Sequence, residues 1–454
     1  MLPFFEWVTD LRDTITGTFG LRFHPWPIFI LGLALLVVSY LFMPDAVSLA
    51  FSIALFLAPL WLPFLLVNAA LMLWLILKQG EFISSQKYLL LEIKPPRNLV
   101  KTPLAMEAFL STLHIGPGES TWYVRWMKGA LRPWWSLEIA SFEGQVHFFI
   151  WTRANFRRMI ETQIYAQYPG AQIVEAPDYT RLISGTIEDF GIWGCDFKHT
   201  NATPLPIKTY IEYGLDQVQK EPEQVDPLAN LIEFMGSVGK GEYLWLQMIF
   251  RQHKGERYGK LNEKGKAYTW TDEAKEMIDK IRKETREPYV DPMTGKEMPG
   301  FPSPTKGQAE KIAAIERNVS KQGFDVGIRC IYLAKKDSFN PIVITQMNGL
   351  FNPFNSLGWN GIGAAEWLRH FDDYPWEIGV EKKKDLYRRK LVEAFRRRQF
   401  FHEPFSFGVA PKDIMVMSTE ELATVYHIPS RAVETPGLTR IQSATSEAPP
   451  NLPT

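Results

Sequence analysis

Hydrophobic residues are gathered into long runs before Lys78 and interspersed with polar ones after it. From Pro25 to Phe42 the run PWPIFILGLALLVVSYLF carries no Asp, Glu, Lys or Arg, and a second uncharged run extends from Ala46 to Leu77. A bilayer core of about 30 Å takes about 20 apolar helical residues to cross. The pattern therefore predicts two transmembrane helices, the first marginally short and the second over-long, with tilt or a bend near Pro59 and Pro63 absorbing the excess. Residues 25–79 are expected to form a transmembrane hairpin. Lys78, Lys87, Lys94, Arg97 and Lys101 follow it, Arg12 and Arg22 precede it, and the connecting loop holds only Asp45. That asymmetry predicts a protein of the cell membrane with both termini and the main domain in the cytoplasm. Ahead of the hairpin, residues 1–24 set Phe5, Val8 and Leu11 near one side of a helix, which suits either an amphipathic segment at the membrane interface or a mobile tail.

Beyond the hairpin the periodicity changes from element to element. KYLLLEIKPP reads as a strand, and Thr102 with Pro103 opens a helix through LAMEAFLSTL as N-cap and first-turn residue. WWSLEIASFEGQVHFFIWT alternates on both sides of Glu143-Gly144 and predicts a hairpin. NFRRMIETQIYAQYPG spaces Phe156, Ile160 and Ile164 as a helix, and AQIVEA returns as a strand. The order β-α-β-β-α-β is that of the split βαβ, or ferredoxin-like, arrangement, assigned here to residues 80–200.

A second copy is expected over residues 201–363. Thr102–Trp122 aligns with Asp226–Trp245 with one gap, sharing a capping residue, Pro, Leu-Ala, an apolar helix and Gly-x-Gly-Glu ahead of an aromatic segment. FDVGIRCIYLA and a helix opened by Asn340-Pro341 would complete it. Within this half, residues 252–322 form a charged insertion with helices in TDEAKEMIDKIRKE and GQAEKIAAIERNV, suited to contact with another protein or to simple solvation. The fold class is α+β. Residues 364–454 hold a basic helix and, in MSTEELATVYHIPS, a helix capped by Ser418 and Glu421 and stopped by Pro429.

Lys and Arg total 50, as do Asp and Glu, which excludes the overall positive charge of a protein that coats nucleic acid and leaves room for a local patch. That patch is EKKKDLYRRKLVEAFRRRQF. Tyr387, Leu391 and Phe395 make a buried face, surrounded by Lys382, Lys383, Lys384, Arg388, Arg389, Lys390, Arg396, Arg397 and Arg398. It admits a solvated helix face, contact with acidic lipid, or contact with DNA phosphates or an acidic protein. The two cysteines, Cys195 and Cys330, provide no disulfide framework.

No motif for catalysis, cofactor or metal emerges. GSVGKGEY lacks the Ser or Thr a P-loop needs after Gly-Lys, and Gly239 and Gly241 read as a helix cap and turn. Cys195 and His199 in CDFKH lack further zinc ligands, and RHFDDYPWE, with His370, Asp372, Asp373 and Glu377, lacks a nucleophile. The expectation is a non-catalytic protein.

Taken together, LLLEIKPP, QIYAQYPGAQIVEAPDY, GKGEYLWLQMIFR, GFDVGIRCIYLAKKDSF and STEELATVYHIPS followed by TPGLTRIQSATSEAPPNLP resemble an uncharacterised bacterial membrane-protein family similar to the non-motor amino-terminal region of conjugation and type IV secretion ATPases of the HerA/FtsK kind. In those ATPases the TEELATLYHFP-like stretch leads into the motor, whereas this chain stops at Thr454 without one. The resemblance implies a membrane-anchored scaffold of a translocation assembly, docking a separate hexameric ATPase. Glu420, Glu421, Leu422, Tyr426 and His427 are the expected partner-binding residues; a homo-oligomer and a DNA-binding module using residues 381–400 remain open.

Overall fold

The computed structural model describes residues 25–440 except 98, 117–118, 120, 184–188, 218–224, 256–260, 291–296, 366–378, 403–413, 431–436 and 439. The expected interfacial segment 1–24, the RHFDDYPWE cluster and the tail beyond residue 440 lie outside the described residues. The chain divides into two units, Met1–Leu77 and Lys78–Thr454.

The first unit holds helices α1 (Pro25–Phe42), α2 (Pro44–Phe56) and most of α3 (Ala58–Ser85). The uncharged run from Ala46 to Leu77, expected as one span, is broken at Leu57. Pro59, in the first turn of α3, has no N–H to continue α2 and suits a helix start. Among the described residues, α3 is the one helix long and apolar enough to cross a membrane. Its 28 residues extend about 42 Å at 1.5 Å each.

The second unit is α+β, built on a nine-stranded antiparallel sheet. Its first half runs β1 (Tyr88–Lys94), α4 (Leu104–Thr112), the short α5 (Trp122–Trp126), β2 (Trp134–Phe142), β3 (Gln145–Arg153), α6 (Arg157–Gln167) and β4 (Gln172–Ala176). The second half begins before residue 201, where it was expected to start: it runs β5 (Phe190–His199), α7 (Pro227–Gly236), β6 (Glu242–Gln252), the insertion, β9 (Gly323–Lys335), α10 (Pro341–Asn348) and β10 (Ile362–Ala365). The insertion comprises α8 (Trp270–Glu284), β7 (Arg286–Val290), β8 (Glu297–Pro302) and α9 (Lys306–Ser320). Helices α11 (Val380–Arg397) and α12 (Thr419–Val425), with β11 (Met415–Ser418) before the latter, complete the described elements.

Strand order across the sheet is β10-β5-β9-β6-β2-β3-β1-β4. Counted within each half, both read fourth, first, third, second toward a shared seam, where β2 pairs with β6 from Trp134↔Arg251 to Phe142↔Tyr243. The β2–β3 turn has Glu143 and Gly144 at φ 51° and 87°, the geometry of a tight two-residue hairpin loop. The aligned repeat coincides at α4 and α7 and then fails. Trp245 lies in β6, but Trp122 opens α5, and the counterpart of β6 is β2, which begins at Trp134. The helix expected to be capped by Thr102 has Pro103 at its N-cap instead.

Both sheet faces are covered, so β2 and β9 are buried almost throughout. On one face Leu137, Ile139, Phe148, Ile150, Met248 and Ile328 meet α4, α6, α7, α10 and α12. On the other, Trp134, Phe149, Trp151, Trp245 and Ile331 meet Leu391, Val392 and Phe395 of α11, with Phe82 and Ile83 from the last turns of α3 beside them. In the insertion, Ala274, Ile278, Ile312 and Ile315 join α8 to α9 over Leu205.

Candidate functional site

The closing segment was the first candidate, because the resemblance implies that it docks a partner. The helix forms as its capping box requires: Ser418 N–H donates to Glu421 Oε2 at 2.9 Å, and Glu421 N–H to Ser418 Oγ at 3.2 Å. No face is spare, because every residue of α12 is buried. Strand β11 extends along β9 past the end of β5, from Met415↔Val326 to Ser418↔Gly323. Glu420, 2% exposed, takes Thr209 Oγ1 at 2.6 Å, Lys321 at 2.8 Å and Arg317 at 3.2 Å. Glu421 accepts the Ile207 N–H at 3.1 Å, Thr424 Oγ1 accepts the Tyr210 N–H at 3.0 Å, and Leu422 sits in the core. Tyr426 donates to the Phe149 carbonyl at 3.2 Å, and His427 Nε2 lies 3.0 Å from Asp226 Oδ2 at the α7 N-cap.

The five residues expected to bind a partner thus join the two halves and the insertion of this chain to one another. The assignment is corrected for a physical reason: a docking helix must leave a stripe in solvent, and this one leaves none. Burial pushes the Glu421 carboxyl up to about 7, against the backbone donors that favour its anion. Burial opposes the charge on His427, but Asp226 and the Ala423 carbonyl outweigh it and raise its pKa.

The basic helix α11 is anchored from beneath by polar groups embedded in the sheet. Glu138, Gln247, Arg329 and Asp196 are direct cross-strand neighbours on β2, β6, β9 and β5, all fully buried. Arg398, left-handed at φ 50°, turns inward after α11 and reaches Glu138 at 2.8 and 3.2 Å and Asp178 at 2.8 and 3.0 Å. Tyr179 OH donates to Glu138 at 2.6 Å, Gln247 Nε2 to Glu138 at 3.0 Å, and Trp134 Nε1 to the Arg398 carbonyl at 3.0 Å. Arg329 pairs with Asp196 at 2.9 Å beneath the Phe400 ring, which packs where a Cβ on Gly327 would stand. Burial alone would raise the Asp178 pKa; Arg398 reverses this and lowers it.

Arg398 is therefore removed from the group expected to meet phosphate: a guanidinium held by two carboxylates inside the fold offers no donors outward. The rest of α11 has eight cations against three carboxylates. Lys382, Arg389 and Arg397 are exposed, and Lys383, Lys384, Arg388, Lys390 and Arg396 are half-buried. Lys384 pairs with Glu381, Arg388 with Asp385, and Arg396 and Arg397 share Glu393.

Other residues singled out in the sequence fall elsewhere. Cys195 and Cys330 stand directly opposite on β5 and β9 as free, buried thiols, and burial raises both pKa values. His199 ends β5, and no group of potential metal ligands forms among the described residues. Gly241, at φ 81°, turns the chain into β6 as expected of a turn glycine. Sequence reasoning missed the buried polar row, whose signal was four polar residues centred in otherwise apolar strands.

These elements define an α+β protein with one large antiparallel sheet covered on both faces. The model of the domain of unknown function DUF8128 matches residues 78–440, and the chain belongs to that family. No curated protein matches. A structural comparison returns the crystal structure of 6-hydroxy-D-nicotine oxidase from Arthrobacter nicotinovorans, 10% identical, covering 69% of this chain with a TM-score of 0.26. The chain spans about half that oxidase's length, 53% of it. The expectation of a non-catalytic chain is withdrawn against this match to an enzyme. A TM-score this low carries no argument for an oxidase activity either.

Proposed function

We propose that this chain is a membrane-attached scaffold of a translocation assembly of type IV secretion or conjugation character, with two ferredoxin-like halves fused through one sheet. The fused halves are supported by the repeated strand order about the β2–β6 seam. Membrane attachment, with α1 and α3 as the two spans and the domain cytoplasmic, is carried by one observation. Helix α3 runs without a break from the uncharged Ala58–Leu77 into Lys78–Ser85, whose Phe82 and Ile83 pack in the second unit's core. The lysines that follow favour the cytoplasmic side.

The partner in this reading is a hexameric ATPase supplied in trans, as the resemblance implies. With the closing segment buried, its landing surface becomes the outer side of the α8–α9 pair, where Lys275, Asp279, Arg282 and Glu316 are exposed. Purification of the full chain from its native membrane in mild detergent tests this. The ATPase should co-purify and be lost on charge reversal at Lys275 and Arg282, and light scattering on the same sample reads the number of copies. A monodisperse chain without ATPase, while that ATPase is intact in the extract, overturns the reading.

A second reading, contact with DNA phosphates through α11, is favoured by its surplus of cations. It predicts DNA affinity that falls steeply with added salt and weakens when Arg389 and Arg397 are reversed. Salt-independent binding, or none, removes it.

A further inference from the structure

We propose that α5 docks into the headgroup layer of an anionic lipid bilayer, beside the turn at which α3 enters the domain. The inference rests on the membrane-attachment reading and adds a second contact to it.

Thr121 Oγ1 caps α5 by accepting the Val124 N–H at 3.3 Å. Trp122 is 65% exposed and Tyr123 56%, with Met127, Arg125 and Lys128 exposed beside them. Among the described residues from Lys78 onward, no other Trp or Tyr is exposed; the remaining exposed large apolar residues, such as Leu261 and Leu357, are aliphatic. The loop is fastened at its base. Glu119 before α5 pairs with the buried Arg132 after it at 3.2 Å, Arg132 donates to the Gln252 carbonyl at 2.7 Å, and Arg153 donates to the carbonyls of Leu131 and Arg132. Rings held out on a fastened base are not explained by the loop's own packing.

Three observations commit the patch to lipid. Trp and Tyr flanked by Arg and Lys is the chemistry of the membrane interface, where an amphipathic ring meets headgroups. No carboxylate lies between Thr121 and Leu131, so the surface complements anionic phosphates. Gly129, at φ 62°, presses on the last turns of α3, with the Lys78 carbonyl where a Cβ would stand. Lys78 directly follows the uncharged run.

The test uses the full chain in lipid nanodiscs, with a nitroxide on Tyr123→Cys, Leu71→Cys or Leu357→Cys in separate samples. The native thiols are buried, so the introduced site takes the label. Oxygen and a water-soluble nickel chelate are compared as relaxants, and an unchanged unfolding midpoint certifies each variant. In phosphatidylglycerol discs the label at 123 should be open to oxygen and shielded from nickel, as at 71, whereas that at 357 meets nickel freely. Arg125→Glu with Lys128→Glu should restore nickel access at 123, each reversal weakening the contact about fivefold or more. If 123 behaves like 357 while 71 stays shielded, this inference fails and attachment stands; nickel access at 71 defeats attachment itself. Low access to both relaxants at 123 means a protein covers it, a second copy or another partner, and likewise overturns the proposal.

Discussion

Helices α12 and α5 are built alike and end in opposite environments. Each is short and begins on a hydroxyl cap, Ser418 for one and Thr121 for the other, with aromatic residues in or beside it. Yet α12 is buried at every residue, and α5 holds Trp122 and Tyr123 in the open. A cap fixes where a helix starts, because it satisfies donors within one turn. Burial is fixed by what arrives from far along the chain. Around α12 that includes Thr209, Arg317, Lys321, Phe149 and Asp226; beneath α5 there is the fastening of Glu119 to Arg132. The same division occurs between neighbours, since Arg397 is exposed and Arg398 is enclosed.

The largest effect expected is at Arg398. Arg398→Ala leaves Glu138 and Asp178 without their cation, and breaking a buried pair in this way costs about 3–5 kcal/mol. Arg397→Ala, one residue away and exposed, should stay within about 0.5 kcal/mol. Urea unfolding of the full chain in detergent, followed by tryptophan fluorescence, measures both. Equal midpoints for the two variants would break the inside-outside division.

Next comes the pair of helices themselves. Leu422→Ala empties a fully buried site and should cost about 2–5 kcal/mol, whereas Trp122→Ala removes an exposed ring and should leave stability within about 0.5 kcal/mol. A Trp122→Ala variant destabilised as much as Leu422→Ala would mean that α5 is packed, and the contrast between the helices would be lost.

Much of this arrangement was legible in the sequence where local chemistry decides it. The hairpin at Glu143-Gly144, the caps at Asp226 and Asn340 and the two helices of the insertion all follow from turn residues and spacing. Strand β5 was not foreseen, because GIWGCDFKH mixes glycine and charge and shows no clean alternation; Asp196 is tolerated there only because Arg329 lies opposite. The opposition of Cys195 and Cys330 needed the register of two strands far apart in sequence. The closing segment misled for a related reason. Its carboxylates were expected to meet a partner, and only the folded chain brings Arg317, Lys321 and the Ile207 N–H to meet them.

A pH series probes those carboxylates with a smaller effect. Glu421 has a folded value raised from 4.5 to about 7, so its contribution is whole below 4.5 and is lost as pH rises through 7. His427 is also raised, so its contribution is whole below 6.5 and is lost above its folded value. Asp178 and Asp226, both lowered, contribute above 3.8 and lose that on acidification, which bounds the favourable window from below. The urea midpoint should therefore fall as pH rises from about 4.5 through about 7, where Glu421 titrates, with His427 adding to the fall above 6.5. Glu421→Gln, which keeps an acceptor without a titrating proton, should flatten that fall. An unchanged slope in Glu421→Gln would mean that the segment is reached by water.

The smallest effect is at Tyr426, whose hydroxyl spans from the closing segment to the Phe149 carbonyl on β3. Tyr426→Phe keeps the ring in the core and removes one hydrogen bond, so about 1 kcal/mol should be lost. The location of that loss matters more than its size. Because the bond ties the segment to the first half, the variant should speed hydrogen exchange in α12 and in the flanking β3 amides before it affects α8 or α9. Exchange that rises uniformly over the domain would show the segment opening only with global unfolding. Exchange confined to α12 would show that the segment can leave β3 alone, and a separable closing segment would sit closer to α5 in behaviour than its burial implies.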